Sequence, residues 1–365
     1  VIKINNNNFS LAEKKKGYRI TDNKITFIFT KNLYLPKKLK NKTINTVSII
    51  GSFTAWKDSW ELIKKSPGTW SLTTNLNRVK IPGNCGQPEF RFVINDNQAL
   101  DAPADLSLQN KFYDDHGTGY KNIIITSDNS NNIKQINHSI ETYKTDYSSR
   151  QELANFREVN LGSISAETIY RSYHPFKKSR PDHPLEDKRI TTVQQLIKEK
   201  QISSVINLSD TDTTIPASVN YYQQLVENEQ VLFTNKGYNY DVFYYIANSD
   251  EFAQLVARII KFIINNPAPY LIHCRIGTDR TGVVIAILAA FMGASWQEIV
   301  ADYQQSNQLG IGEYRSEELL AYSFQQLLDN ANIKNELQSK ITNYLRDRSN
   351  LKEEQLKQLK QKLQS

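Results

Sequence analysis

The chain has 365 residues, 39% hydrophobic and 23% charged, with a formal net charge of +7. That length predicts two domains with tails, the composition is that of a soluble globular protein, and the positive balance favours anionic partners such as phosphate esters, polyanions or acidic membrane faces without choosing among them. Two cysteines far apart argue against a secreted disulfide framework and for a reducing compartment. The longest apolar run, "VVIAILAAFMGA", is well short of the roughly 20 residues a spanning helix needs.

The N-terminal "VIKINNNNFS" lacks the apolar core of a secretory signal. From residue 17 to 126 the pattern reads as all-β: "KITFIFT" alternates, and "NTVSIIGSF", "TWSLTTNL", "EFRFVIND" and "YKNIIIT" follow between turn-like clusters. Short strands at this rhythm predict a β-sandwich. Residues 127–150 are polar and largely glycine-free, as in a linker or a surface-hugging connection. From 151 to 330 strands alternate with helices: a helix at "TTVQQLIKEKQ", a buried strand at "SSVINLS", and a helix at "SDEFAQLVARIIKFIINN" capped by Ser249. The strand "YLIH" comes next, then a buried helix to Gly293 and another helix starting on a serine cap at "SWQEIVADYQQ". This is an α/β layer pattern. Residues 331–365 carry an amphipathic stripe (Ile333, Leu337, Ile341, Leu345, Leu356, Leu359, Leu363) and predict helices packed on the body.

The chemistry concentrates in "YLIHCRIGTDRTGVVIAILAAFMG", where Cys274 follows a strand and precedes a helix beginning near Thr281. Cys274 and Arg280 stand at C-x-x-x-x-x-R spacing. A loop of that length feeding a helix N-terminus can turn successive backbone N–H groups inward as an anion nest, here from Arg275, Ile276, Gly277, Thr278, Asp279 and Arg280. Gly277 permits the curvature, and Arg280 supplies a planar fork for two phosphoryl oxygens. The field that holds a dianion also favours a thiolate, and a thiolate beneath a bound phosphate can attack in line to form a cysteinyl-phosphate. Thr281 would donate to the sulfur and help it leave, while His273 would buttress the loop. An inert buried cysteine is the alternative; strand, Cys, mid-loop Gly, Arg, Thr-Gly and helix coinciding in one segment weigh against it.

The segment resembles the signature loop H-C-x-x-G-x-x-R-[ST]-G of the cysteine-dependent protein tyrosine phosphatase superfamily, in particular its compact dual-specificity enzymes and their atypical plant-and-fungal branch. "NFREV", "IYRSYHP", "ISSVINL" and "SWQEIVADYQQ" are similar to stretches of that branch, so the likeness covers about residues 151–328. It implies an α/β domain with a central, mostly parallel sheet flanked by helices, and hydrolysis of a phosphotyrosine or other phosphoprotein, an inositol phosphate or a phosphoinositide. Ser209 after "INL" and Thr278-Asp279 before Arg280 depart from the branch; a Lys at position 278 is typical of phosphoinositide-active relatives. The resemblance also implies a general acid. Asp241 matches its position in dual-specificity enzymes, Asp279 matches the loop Asp of relatives with "D-R-T" endings, and Asp210 and Asp212 are weaker alternatives. Asn307 or Gln308 would orient the hydrolytic water.

The front segment, with "GSFTAW" and "EFRFVINDNQALDAPAD", resembles the early-set immunoglobulin-like domain of glycogen- and starch-binding modules. It makes Trp56 and Arg91 candidate glycan contacts, although the second Trp of such sites is missing, and a scaffold or protein-docking role for this β-sandwich is the favoured alternative. Plant starch phosphatases pair the same module types in the opposite order, which leaves a glucan phosphatase or a non-catalytic phosphate-docking module as alternatives. No metal site, cofactor, nucleic acid or transmembrane segment is expected: the five His are scattered and Cys85 has no metal-ligand spacing around it. The Asn/Lys/Ile-rich style also suits a bacterial effector delivered into a host cell.

Overall fold

The computed structural model describes residues 9–113, 119–126, 132–210, 215–234 and 238–365. The chain divides into two compact units, one running through Thr142 and including Gly312–Leu319, the other holding Tyr143–Ile311 and Leu320–Ser365.

In the first unit the alternation of "KITFIFT" becomes the strand Lys24–Thr30, with Ile25, Phe27 and Phe29 fully buried. It pairs antiparallel with Tyr18–Thr21 on one side and Thr69–Asn75 on the other, and Ile63–Ser66 completes that sheet. A second antiparallel sheet takes Trp60–Glu61, Val47–Gly51, Glu89–Ile94, Tyr120–Ile123 and Lys111–Tyr113 in that order, with Gln98–Ala99 paired to Glu89–Ile94. The two sheets share one aromatic core, in which Phe27, Phe29 and Trp70 of the first meet Val47, Ile49, Phe90 and Phe92 of the second. Phe27 and Phe90 meet edge to face at 5.3 Å. The stretch expected to be a linker contains the helix Ile133–Ile140, whose Ile133, Asn137 and Ile140 are buried.

The second unit is built on a five-stranded sheet ordered Arg157–Glu158, Ile169–Ser172, Tyr270–His273, Ser204–Asn207, Val231–Phe233. The first pair is antiparallel and the other three pairings are parallel. The cysteine strand, Tyr270–His273, is therefore central, with all four residues buried. Ligands of open parallel sheets gather beyond the carboxyl ends of the strands, and the cysteine loop leaves from that end. The helix Asp279–Phe291 that follows is apolar all round, and every residue from Thr281 to Phe291 is buried. Ser249 caps Asp250–Asn265 by accepting from Phe252 N–H at 3.2 Å, and Ser295 caps Trp296–Gln305 with a full capping box. In the tail, Leu337–Asp347 packs on the buried helix and Glu353–Leu363 on Asp250–Asn265, closing over the stripe of Leu337, Ile341, Leu345, Leu356, Leu359 and Leu363.

Candidate active site

Cys274 leaves the central strand as a buried, free thiol. Gly277 N–H points at its sulfur, 3.3 Å away. The loop carbonyls are all engaged. Cys274 O accepts from His273 Nδ1 at 3.2 Å, Arg275 O from His174 N–H at 3.2 Å, and Ile276 O from Asn155 Nδ2 at 3.0 Å. Gly277 O accepts from Arg171 Nη2 at 2.6 Å, and Thr278 O from Gly282 N–H at 2.9 Å. In a trans peptide the C=O of one residue and the N–H of the next point oppositely, so carbonyls gripped from outside leave the N–H groups of the loop for an anion on the inner side. Gly277 has φ +83°, and a Cβ there would stand 2.2 Å from Ser172 O, so this position excludes any other residue twice over.

Arg280 Nη1 donates to Leu208 O at 3.1 Å and Tyr238 O at 2.8 Å. Its Nε–Nη2 edge meets no acceptor among the described residues, which leaves that side of the fork for an oxyanion. Thr281 is fully buried, and its hydroxyl has no hydrogen-bond partner among the described residues. Arg275, partly exposed, is tied by Nε to Ser179 Oγ at 3.1 Å.

The two histidines beside the loop are neutral supports. His273 gives Nδ1 to the Cys274 carbonyl and receives the Tyr222 hydroxyl on Nε2 at 3.1 Å. Burial, with His174 close by, pulls its pKa down to about 3. His174 accepts the Phe176 and Lys177 N–H groups on Nδ1, so its Nε2 carries the proton and donates to Asp210 at 2.7 Å. Burial also lowers His174, to about 4. Burial alone would raise the Asp210 carboxyl, but hydrogen bonds from His174, Lys177 and Asn207 outweigh it and hold the group well below the usual carboxylate range. Asp210 is thus committed to its ion pair with Lys177 and its hydrogen bonds from His174 and Asn207, while Asp212 lies outside the described residues.

Of the two remaining carboxyls, Asp279 opens the buried helix, is partly exposed, and accepts the Tyr244 hydroxyl on Oδ1 at 2.9 Å. Tyr244 OH is in turn 2.7 Å from Tyr303 OH. Asp241 lies in the first turn of Tyr240–Tyr245 and is only 6% exposed. Gln308 lines a polar cavity of about 220 Å³ with Asn155, Phe156 and Arg157, beside the side chains that grip the loop from outside; Asn307 belongs to the same short 3-10 helix, Ser306–Leu309. In the first unit, Trp56 has Lys121 Nζ 5.1 Å from its ring centroid, and Arg91 is paired with Asp101 at 2.8 Å. Lys121 and Arg91 are on adjacent, paired strands.

Sequence reasoning passed over Asn155, Arg171, His174, Tyr244 and Tyr303. The signal for four of them was in hand, because Asn155 is in "NFREV", Arg171 and His174 in "IYRSYHP" and Tyr303 in "SWQEIVADYQQ". Among the described residues no group of three or more His, Cys, Asp or Glu is placed to hold a metal ion, and no helix is long and apolar enough to cross a membrane.

A family model described as the tyrosine phosphatase family matches residues 149–365. No curated protein matches the chain. The matched stretch takes in more than half of the residues, including the whole five-stranded sheet and the cysteine loop at its centre, and on that footing the chain belongs to the tyrosine phosphatase family.

Proposed function

We propose that this phosphatase works through a cysteinyl-phosphate, with Cys274 as nucleophile. One observation carries the reading: five successive loop carbonyls, from Cys274 to Thr278, are all engaged, the middle three by His174, Asn155 and Arg171 from other segments, while an N–H of the same loop meets the sulfur. That is the electrostatic arrangement a phosphoryl group needs around its equatorial oxygens, and Arg280 adds a fork with one edge open. Sγ attacks phosphorus as the bond to the leaving oxygen breaks, and Asp279 gives that oxygen its proton. Water then attacks the phosphorus and passes a proton to Asp279; the S–P bond breaks, with Thr281 donating to the departing sulfur. Asp279 is favoured over Asp241 because it is partly exposed beside Arg280, whereas Asp241 is shut in. The leaving group belongs to a phosphoprotein of either the phosphotyrosine or dual-specificity kind, or to an inositol phosphate or phosphoinositide.

The test is phosphate release by the wild type and by Cys274→Ser on phosphotyrosine peptide, phosphoserine peptide, phosphoinositides, inositol polyphosphates and phosphorylated glucan. Release that falls by about 10,000-fold or more in the variant is expected, as for loss of a nucleophile that acts with its neighbours as a unit. Equal release by both proteins would remove the nucleophile from the scheme. Preference for the glucan would move the substrate to the class suggested by Trp56.

A further inference from the structure

Behind the loop, two buried arginines share one carboxylate. Arg171, fully buried in the strand Ile169–Ser172, binds Asp302 Oδ2 through Nη1 and turns Nη2 to Gly277 O at 2.6 Å and Thr278 O at 3.5 Å. Arg157 meets the other Asp302 oxygen through Nε at 2.9 Å and gives Nη2 to the Asp302 backbone carbonyl at 2.7 Å. Its Nη1 holds Asn155 Oδ1 at 2.6 Å, so the Asn155 amide points its NH₂ group at Ile276 O. Ser306 Oγ lies among them, 3.2 Å from Arg157 Nη2 and 3.4 Å from Asn155 Oδ1.

Three elements distant in sequence thus converge on the outer face of the cysteine loop. Two guanidinium groups against one carboxylate leave a surplus positive charge. Burial, with Arg171 nearby, brings Arg157 down to about 10. A surplus buried cation is costly where nothing answers it, and an oxyanion on the inner side of the loop would answer it.

We propose that Arg171 is a positioning residue for phosphoryl transfer: its guanidinium fork spans Asp302 and the Gly277 carbonyl and thereby holds the loop N–H groups in their anion-binding curve. The proposal rests on the cysteinyl-phosphate reading above. A lysine cannot replace the fork, because a single ammonium on a flexible stem does not fix two acceptors in one plane. The transition state relies on the aligned N–H groups more than the bound substrate does, so losing the fork lowers kcat more than it raises KM.

The experiment compares wild type, Arg171→Lys, Arg171→Met and Asp302→Asn with p-nitrophenyl phosphate, reading kcat, KM, inhibition by orthovanadate and thermal unfolding. Both Arg171 variants should lose about 100-fold in kcat with KM moving less than about threefold, and orthovanadate should weaken in step with kcat/KM. Folded Arg171 variants with wild-type kcat and KM would overturn the proposal. So would a Lys variant with full kcat, since charge alone would then suffice. Should the Arg171 variants fail to fold, the shape-preserving Asp302→Asn carries the test: a loss of about tenfold or more in kcat is expected, and wild-type kcat in the folded variant overturns the proposal. A wild type that neither hydrolyses the ester nor binds orthovanadate takes down the cysteinyl-phosphate reading and this proposal with it; an active wild type with indifferent variants takes down this one alone.

Discussion

Tyr244 lies one helical turn beyond Asp241 and gives its hydroxyl to Asp279, so one side chain links the segment of one carboxyl to the other carboxyl itself. The Tyr244 hydroxyl fixes the Asp279 carboxyl through Oδ1, which would hold it in place for the acid role proposed above. Gly282 makes the arrangement possible from below, since a Cβ there would press within 2.8 Å of the Tyr303 ring that backs Tyr244. Asp279→Asn should therefore lower kcat for phosphotyrosine peptide by about 100-fold or more. Asp241→Asn should change kcat by less than about tenfold. Steady-state kinetics across pH 4 to 9 would decide, and the reverse ranking of the two variants would transfer the acid role to Asp241.

At the scale of elements, the cysteine loop owes its curve to the strand beside it. Ile169–Ser172 runs parallel to Tyr270–His273 with Arg171 opposite Ile272, and it presents the Ser172 carbonyl to Gly277 and the Arg171 side chain to the Gly277 carbonyl. Gly277→Ala should cost about 1–3 kcal/mol in backbone strain alone, and more from the clash with Ser172 O. By displacing aligned N–H groups it should also cut kcat about 100-fold, checked by thermal unfolding and turnover on the same preparation. The sequence made the loop legible because Cys274, Gly277, Arg280 and Thr281 are close neighbours and their spacing is itself the chemistry. The grip from outside was not legible, since Asn155 and Arg171 reach the loop from more than a hundred residues away. Their motifs could be seen, but which carbonyl each donor takes depends on the strand order. The strand Lys24–Thr30 could be read from its alternation, whereas Ile133–Ile140, although Ile133, Ile136 and Ile140 recur at helical spacing, was passed over because the stretch around it is so polar.

At the scale of the molecule, the buried neutral histidines set an acid limit. His273 at about 3 and His174 at about 4 stay unprotonated in the folded protein at pH values where unfolded histidines, near 6.5, take up protons. The unfolded state therefore binds more protons in this window, and stability falls as pH drops from about 6.5 toward 4, by about 2–3 kcal/mol per pH unit for the pair. The depressed carboxyl of Asp210 acts in the same direction below its ordinary value, near pH 4. Urea unfolding at pH 7, 6 and 5 would show the slope, and a level profile would mean that these imidazoles are charged in the fold. The path of the chain through its two units carries a different consequence. It passes from the first unit to the second after Thr142, returns for Gly312–Leu319, and leaves again at Leu320. In that returning stretch Ser316 N–H binds Asn84 O at 2.9 Å, Tyr314 meets Phe112 edge to face, and Leu319 is fully buried. No single cut in the polypeptide yields both units whole. A break at the obvious boundary after Thr142 would part those residues from the partners they fold against.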